Sequence, residues 1–190
     1  MGCIPHAPNR FLPMASRNIL LFQYGSNMDP GCLNSSDRLA GAARAIGVAR
    51  LDHRGIRFDL YSTKNEYGVT DIVSAAREHV LGVLYEVPYR LVVAPRGQRS
   101  RMDEIEGARL GPRSNYKRQK ILVRRNGKNV AARTYVGTAL GRKRFLRQSS
   151  GDRQVSEGYF RYLLAGARRF KFPKSYVKYL RRQAGTLKQE

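Results

Sequence analysis

Two short segments hold the residue types that acyl-transfer chemistry requires. In the first, an apolar run leads into Gly25-Ser26-Asn27. A glycine at a strand end lets successive backbone N–H groups point into one concavity, which suits a carboxylate or a developing oxyanion. In the second, Met102-Asp-Glu-Ile-Glu-Gly107, a partly buried carboxylate would have a raised pKa suited to proton transfer. Each pattern is also typical of an ordinary turn or of a solvated acidic helix face, so both interpretations stay open here.

The segments that must position these residues are mostly predicted strands. The apolar run before Gly25 is typical of a buried strand, and the alternating residues 56–61 predict a half-buried one. A strand over 80–87 stops at Pro88, which has no N–H to donate within a sheet. A hairpin is predicted across Asn126-Gly127, because this pair supplies the positive φ values of a type I′ turn. In all, strands are predicted at residues 18–24, 41–51, 56–61, 70–76, 80–87, 117–125 and 130–136.

Helical patterns are fewer. They predict helices at residues 99–109, 156–167 and 173–182, the last with Pro173 in its first turn. Residues 141–154 are polar and basic, and they are predicted to form a loop. Because strands and helices do not alternate regularly, the pattern favours an α+β fold or a small barrel over repeated βαβ units.

Length and composition exclude several classes of protein. The 190 residues suit one domain, here residues 17–183, with a Pro-rich flexible leader at 1–16 and a C-terminal tail at 184–190. The apolar runs are far shorter than the about 18–20 residues of a membrane span, and the leader lacks the apolar core of a secretory signal. Two isolated cysteines argue against a disulfide framework or a zinc site. The expected compartment is the reducing cytoplasm.

Positive charge is concentrated in the second half of the chain. The formal net charge is +22, with 10 Lys+Arg and 8 Asp+Glu in residues 1–95 but 26 and 6 in residues 96–190. One hypothesis is therefore that the basic C-terminal half binds RNA, a ribonucleoprotein or another polyanion. The other is a solvated face, since no zinc-finger, RNP or KH-type signature accompanies the charge.

Six pieces of the sequence, taken in order, resemble the γ-glutamylcyclotransferase-like family, also called AIG2-like. The resemblance extends over most of residues 18–182 and implies a small mixed β-barrel with flanking helices, often dimeric. The pieces are Tyr24-Gly25-Ser26-Asn27-Met28, residues 47–52, 80–87, 103–107 and 133–136, and residues 156–159 with 166–167 and 173–176.

The resemblance also implies an activity and the residues that perform it. Such enzymes convert a γ-glutamyl amine, amide or peptide into 5-oxoproline and a free amine, as cyclising acyltransferases or lyases, without a metal or organic cofactor. Glu106 matches the family's general acid/base, a glutamate followed by glycine. The backbone of residues 24–28 would bind the α-carboxylate and carbonyl of the substrate. The substrate-binding residues implied are Tyr24, Gly25, Ser26, Asn27, Met28, Tyr116, Tyr135 and Tyr159.

The implied chemistry needs few groups. A carboxylate in a low-dielectric pocket can take a proton from the substrate's α-ammonium, which frees the nitrogen to attack the γ-carbonyl of the same molecule. Because the ring closes within one molecule, orientation and oxyanion stabilisation supply most of what remains. Cys32, His53 and His79 are interpreted as structural or surface residues rather than as a catalytic Cys/His set.

An alternative stays open beside this hypothesis. A catalytically silent protein with the same fold could act as a basic RNA- or ribonucleoprotein-binding module. The sequence does not identify the leaving amine or the oligomeric state. The loops at 94–100 and 139–154 are predicted to select the leaving group.

Overall fold

The computed structural model describes residues 17–63 and 65–185. The predicted leader at 1–16 lies outside the described residues. Of the predicted tail at 184–190, the first two residues belong to the last helix, and the others lie outside the described part as well.

Five strands close into a barrel in the order β1-β3-β2-β4-β5. Strand β1 pairs antiparallel with β3 and parallel with β5, where Leu21 faces Arg133. The prediction of an α+β fold with a small mixed barrel is therefore confirmed. The strands are β1 (Asn18–Gln23), β2 (Arg44–Ser62), β3 (Tyr67–Pro88), β4 (Tyr116–Arg125) and β5 (Lys128–Gly137).

Strands β2 and β3 are longer than the sequence predicts. The two segments predicted at 41–51 and 56–61 are one strand of 19 residues, and those at 70–76 and 80–87 are one strand of 22. The residues between the segments belong to irregular pairing, with register shifts that include one between Asp52 and Arg54. His53 has a φ of 58° at that shift. A bulge bends a strand without ending it. The irregular residues between the predicted segments are therefore part of continuous strands and do not mark strand ends.

The β4–β5 hairpin forms as predicted. Asn126 and Gly127 have φ values of 49° and 76°, and Arg125 pairs with Lys128 across the turn. Both central residues of a type I′ turn need positive φ, which asparagine and glycine tolerate best.

Six α-helices flank the barrel in the described part of the chain, and Ser26–Met28 form a short 3₁₀ helix after β1. The predictions at 156–167 and 173–182 are confirmed, whereas the helix predicted at 99–109 is only five residues long. It ends at Ile105 with Glu106 as its C-cap, and Gly107 follows with a φ of 69°. None of the described helices has the length and apolar character that a membrane span requires. They are α1 (Pro30–Leu33), α2 (Tyr89–Val92), α3 (Arg101–Ile105), α4 (Ala139–Leu146), α5 (Glu157–Arg169) and α6 (Lys174–Gly185).

The loop prediction for residues 141–154 is wrong over its first part, where α4 forms. Thr138 caps this helix by accepting a hydrogen bond from the N–H of Gly141 at 3.0 Å. The buried residues of α4 are only Gly141 and Phe145, too few to produce a recognisable apolar stripe. A side chain at Gly141 would meet the carbonyl oxygen of Asn115 at 2.5 Å and Leu60 of β2 at 3.0 Å. The position of α4 therefore depends on close packing against the barrel and the segment before β4.

An ion pair between a buried carboxylate and a half-buried arginine fixes α4 to the barrel. Asp71 of β3 is fully buried and accepts the N–H groups of Ile72 and Gly137 at 2.7 and 2.6 Å. Its other oxygen forms an ion pair with Arg142 of α4. Asp59 of β2 lies nearby with an unpaired buried oxygen, and burial, followed by the charge of Asp71, raises its pKa to about 6.

Candidate active site

A cavity of about 700 Å³ brings the two chemistry-bearing segments together. Residues 23–27, at the end of β1, form one part of its lining, and residues 104–107, at the end of α3, form another. These segments are about 80 positions apart in the sequence, as the span from Asn27 to Glu106 illustrates. The closed barrel makes them neighbours.

Glu106 lines this cavity and is held by two side-chain amides. Its Oε1 accepts hydrogen bonds from Asn27 Nδ2 at 2.9 Å and from Gln23 Nε2 at 3.2 Å. Its Oε2 accepts none from the described residues. One carboxylate oxygen is thus fixed by the protein, and the other is available to a bound molecule.

The surroundings of Glu106 favour proton uptake. Burial raises the pKa of this carboxyl above its ordinary value of 4.5, although the amides of Asn27 and Gln23 and the charge of Arg38 oppose the shift. Desolvation therefore outweighs the groups that stabilise the carboxylate. A raised pKa brings the group closer to the range in which it can both accept and return a proton.

The short helix α3 depends on Asp103 for its position. Ser100 and Asp103 form a capping box, with the Asp103 carboxylate accepting the Ser100 N–H at 2.8 Å. The same carboxylate accepts a hydrogen bond from Tyr135 Oη at 2.7 Å and pairs with Arg118 at 3.2 Å. A helix of five residues is not stable alone, so these contacts with β4 and β5 place Glu106.

The loop after β1 turns tightly at Gly25. A side chain there would meet Thr70 Oγ1 at 2.7 Å and Tyr159 Oη at 3.0 Å. The backbone can lie this close to Thr70 and Tyr159 only because residue 25 is glycine. The backbone N–H groups of Ser26 and Asn27 donate to no acceptor within residues 17–63 and 65–185. They belong to the segment that lines the cavity and remain available to an anionic group.

Met28 has a different place from the other residues of this loop. It is fully buried in the core and does not line the cavity, and its carbonyl accepts a hydrogen bond from Tyr85 Oη at 2.7 Å. A side chain at Gly166 of α5 would meet Met28 Cβ at 2.7 Å. Met28 therefore anchors the loop to α5, and no direct contact with a ligand in the cavity follows from its position.

All four tyrosines predicted for the site line the cavity, but three of their hydroxyls are occupied. Tyr24 Oη donates to the Tyr135 carbonyl at 2.6 Å, and Tyr135 Oη donates to Asp103. Tyr159 Oη accepts the N–H of Thr70 at 3.1 Å, and burial raises the pKa of Tyr159 to about 12. Tyr116 is half-buried, with its pKa raised mainly by burial. These rings are neutral walls of the cavity.

Three residues near Glu106 were missed by the sequence analysis. Gln23 is 5% exposed and donates to Glu106, and Thr70 positions Tyr159. Arg38 donates to Asn27 Oδ1 and so orients the amide that holds Glu106. Gln23 carried a usable signal, because a polar residue in a buried strand, two positions before a glycine turn, needs a hydrogen-bond partner. Arg38 carried none, since it lies in an irregular segment.

A model of the AIG2-like family matches residues 79–180, which is more than half of the chain. The matched region includes Glu106 and Tyr159 but not the loop at 24–28. No curated protein matches the sequence.

Solved structures show the same fold at low sequence identity. An uncharacterized human protein is 23% identical with a TM-score of 0.68, covering 86% of both chains. A γ-glutamyl cyclotransferase is 19% identical with a TM-score of 0.62, covering 87% of both chains. YkqA from Bacillus subtilis is 20% identical with a TM-score of 0.61, covering 88% of this chain and 54% of YkqA. These likenesses establish the fold alone.

Proposed function

This chain belongs to the AIG2-like family, and on that premise we propose that it releases 5-oxoproline from a γ-glutamyl amine, amide or peptide. The single observation that carries the proposal is the position of Glu106 in the cavity together with its hydrogen bonds. Its carboxylate is held on one oxygen by Asn27 and Gln23, and the other is available in a cavity that the loop at 24–27 also lines. The fold shared with a γ-glutamyl cyclotransferase supports this assignment.

In the proposed reaction, Glu106 first takes a proton from the substrate's α-ammonium. The freed nitrogen attacks the γ-carbonyl carbon, and the resulting oxyanion is stabilised by the N–H groups of Ser26 and Asn27. The bond from this carbon to the departing nitrogen then breaks. Glu106 returns its proton to the leaving amine, and the second proton lost by the ring nitrogen completes the leaving ammonium. No covalent enzyme intermediate is needed, because the nucleophile belongs to the substrate.

The proposal is tested by incubating the protein with γ-glutamyl dipeptides, γ-glutamyl-lysine-type amines and glutathione. We expect at least one of these to yield 5-oxoproline and the free amine in equal amounts, measured by chromatography. Release of glutamate instead of 5-oxoproline would indicate hydrolysis by water and contradict attack by the α-amine. If no substrate reacts, the proposed activity is wrong.

A second function is favoured by the surface of α5 and α6. Every basic residue from 158 to 185 is exposed, and no acidic residue lies in this segment. All ion pairs between described residues lie within residues 44–142. The exposed cations, which we term the helical basic surface, are Arg161, Arg168, Arg169, Lys171, Lys174, Lys178, Arg181 and Arg182.

Folding contacts explain little of the charge of the helical basic surface: Arg182 lies over the Tyr179 ring at 5.8 Å, and no member forms an ion pair with a described residue. Lys174 and Lys178 are four residues apart on α6, as are Lys178 and Arg182, and like charges at this spacing cost a few tenths of a kcal/mol. We propose that the surface binds the phosphate backbone of RNA, which neutralises such a cluster and releases counterions.

Replacing Arg168, Lys174, Lys178 and Arg181 together by glutamine tests this second function. At 100 mM salt we expect binding to generic single-stranded RNA to weaken at least about tenfold, with a salt dependence shallower by about 3 in log–log slope. Fluorescence anisotropy of labelled RNA measures both quantities.

The matched control replaces Lys117, Lys120, Arg124 and Lys128, exposed residues of the β4–β5 hairpin, and changes the net charge equally. An equal loss of RNA affinity in both variants would show that net charge alone drives binding, and would contradict binding at the helical basic surface. Binding that persists in a Glu106→Gln variant would separate the second function from catalysis. Undetectable binding by the unmodified protein would leave the cations as a solvated face.

A further inference from the structure

The lining of the cavity carries an excess of arginine. Five arginines belong to it, against two carboxylates other than Glu106, namely Asp37 and Glu104. The arginines come from separate segments, and two of these segments are the loops predicted from sequence to select the leaving group. They are Arg38, Arg99, Arg101, Arg109 and Arg144.

The five arginines differ in their partners. Arg101 pairs with Glu104 at 3.0 Å, and Arg38 is engaged with Asn27 near Glu106. Arg99 donates to the backbone carbonyl of Asp103 at 3.0 Å. These three are bound either to a carboxylate or to the elements that place the catalytic residue.

Arg109 and Arg144 are not neutralised by any carboxylate of the described residues. Arg144 donates only to neutral acceptors, Asn115 Oδ1 at 2.7 Å and the carbonyl of Arg113 at 3.2 Å. The side chain of Arg109 makes no hydrogen bond or ion pair within the described part of the chain. The segment 113–115 joins the two, because the N–H of Arg109 donates to Ser114 Oγ at 2.7 Å. Both arginines are therefore connected to the same segment, and both line the cavity.

The size of the cavity leaves room for more than a γ-glutamyl group. Cavities of about 300–1,000 Å³ usually hold drug-sized molecules, and a γ-glutamyl group is much smaller than these. With that group bound between Glu106 and the loop at 24–27, the volume of about 700 Å³ extends beyond it. The leaving group of the substrate must occupy this part.

We propose that Arg109 and Arg144 form an anion subsite that selects leaving groups with an acidic side chain, as in γ-glutamylglutamate. This inference rests on the proposed cyclotransferase activity. A guanidinium group offers paired N–H donors that match a carboxylate, and hydrogen bonds between charged partners are about twice as strong as neutral ones. Arg109 is exposed and Arg144 is half-buried, so solvent moderates the gain without removing it.

The test compares two substrates that differ only in this charge, γ-glutamylglutamate and γ-glutamylglutamine. We expect kcat/KM to be about tenfold higher for the glutamate form, and the ratio to fall toward one in an Arg109→Gln/Arg144→Gln variant. An Arg109→Gln single variant, which leaves the Arg144–Asn115 contact intact, is expected to lose part of the preference. The control Lys120→Gln/Arg124→Gln lowers the net charge equally on β4 and is expected to keep the ratio.

Binding separates failure of the subsite from failure of the reaction. The dissociation constants of both dipeptides for a Glu106→Gln variant, measured by calorimetry, are expected to differ by about the same factor. Equal constants, or a preference that survives the double arginine variant, would overturn the subsite even if 5-oxoproline is formed. A preference in binding without 5-oxoproline from the unmodified protein would sustain the subsite and reject the proposed activity.

Discussion

Replacing Glu106 by glutamine is expected to lower kcat for 5-oxoproline formation by about 10²–10⁴-fold, the usual contribution of a positioned general acid/base. Glutamine has the same shape, and its amide oxygen can still accept the hydrogen bonds from Asn27 and Gln23. It cannot take the proton of the α-ammonium. We therefore expect the thermal stability and the KM to change little while kcat falls, as measured by product release and by thermal unfolding.

The matched control for this variant is Glu104→Gln. Glu104 is an exposed carboxylate two positions away, paired with Arg101, and its replacement changes the net charge by the same amount. Since exposed ion pairs contribute little, we expect kcat to change less than about threefold. Equal losses in the two variants would show that local charge, rather than the Glu106 carboxylate, supports the reaction.

The pH dependence of the unmodified protein gives a second check on Glu106. The group must be deprotonated to accept the first proton, so kcat/KM is expected to rise with pH through its pKa and to be lost as pH falls below it. Because burial raises this pKa, the midpoint of the acidic limb lies above 4.5. A limb at or below that pH would contradict the desolvated carboxylate that the mechanism requires.

The second large effect concerns stability. Replacing Arg142 by glutamine is expected to lower the free energy of unfolding by about 3–5 kcal/mol, measured by denaturant titration at neutral pH. Asp71 is fully buried, and removing its cationic partner leaves a charge in the core that only the N–H groups of Ile72 and Gly137 still stabilise. Asp59, close by and unable to pair its own buried oxygen, adds to the repulsion when ionised.

Two variants separate the buried pair from the general effect of changing α4. Lys143→Gln alters an exposed cation on the same helix and is expected to cost less than about 0.5 kcal/mol. Adding Asp71→Asn to Arg142→Gln removes the uncompensated charge, so the double variant should lose less than the two single losses added together. If Arg142→Gln is no more harmful than Lys143→Gln, the ion pair does not hold α4 to the barrel.

Much of the fold could be predicted because its signals are local. The Asn126-Gly127 turn needs only two residues that tolerate positive φ, and α5 and α6 have apolar faces at helical spacing. The failures arose where distant contacts override local pattern. Helix α4 carries only two buried residues and is held through Arg142, and the bulge at His53 bends a strand that the pattern divides.

For the site, the sequence by itself determined which residue types are present and their order: a glycine turn after a buried strand, and a carboxylate followed by glycine. Only the tertiary structure decided that they share one cavity, that Gln23 and Asn27 hold one oxygen of Glu106, and that Met28 packs in the core instead. The physical reason is that burial and hydrogen bonding depend on neighbours in space. Closure of the barrel places Asn27 within hydrogen-bond distance of Glu106, and no local sequence pattern predicts a contact between residues so far apart in the chain.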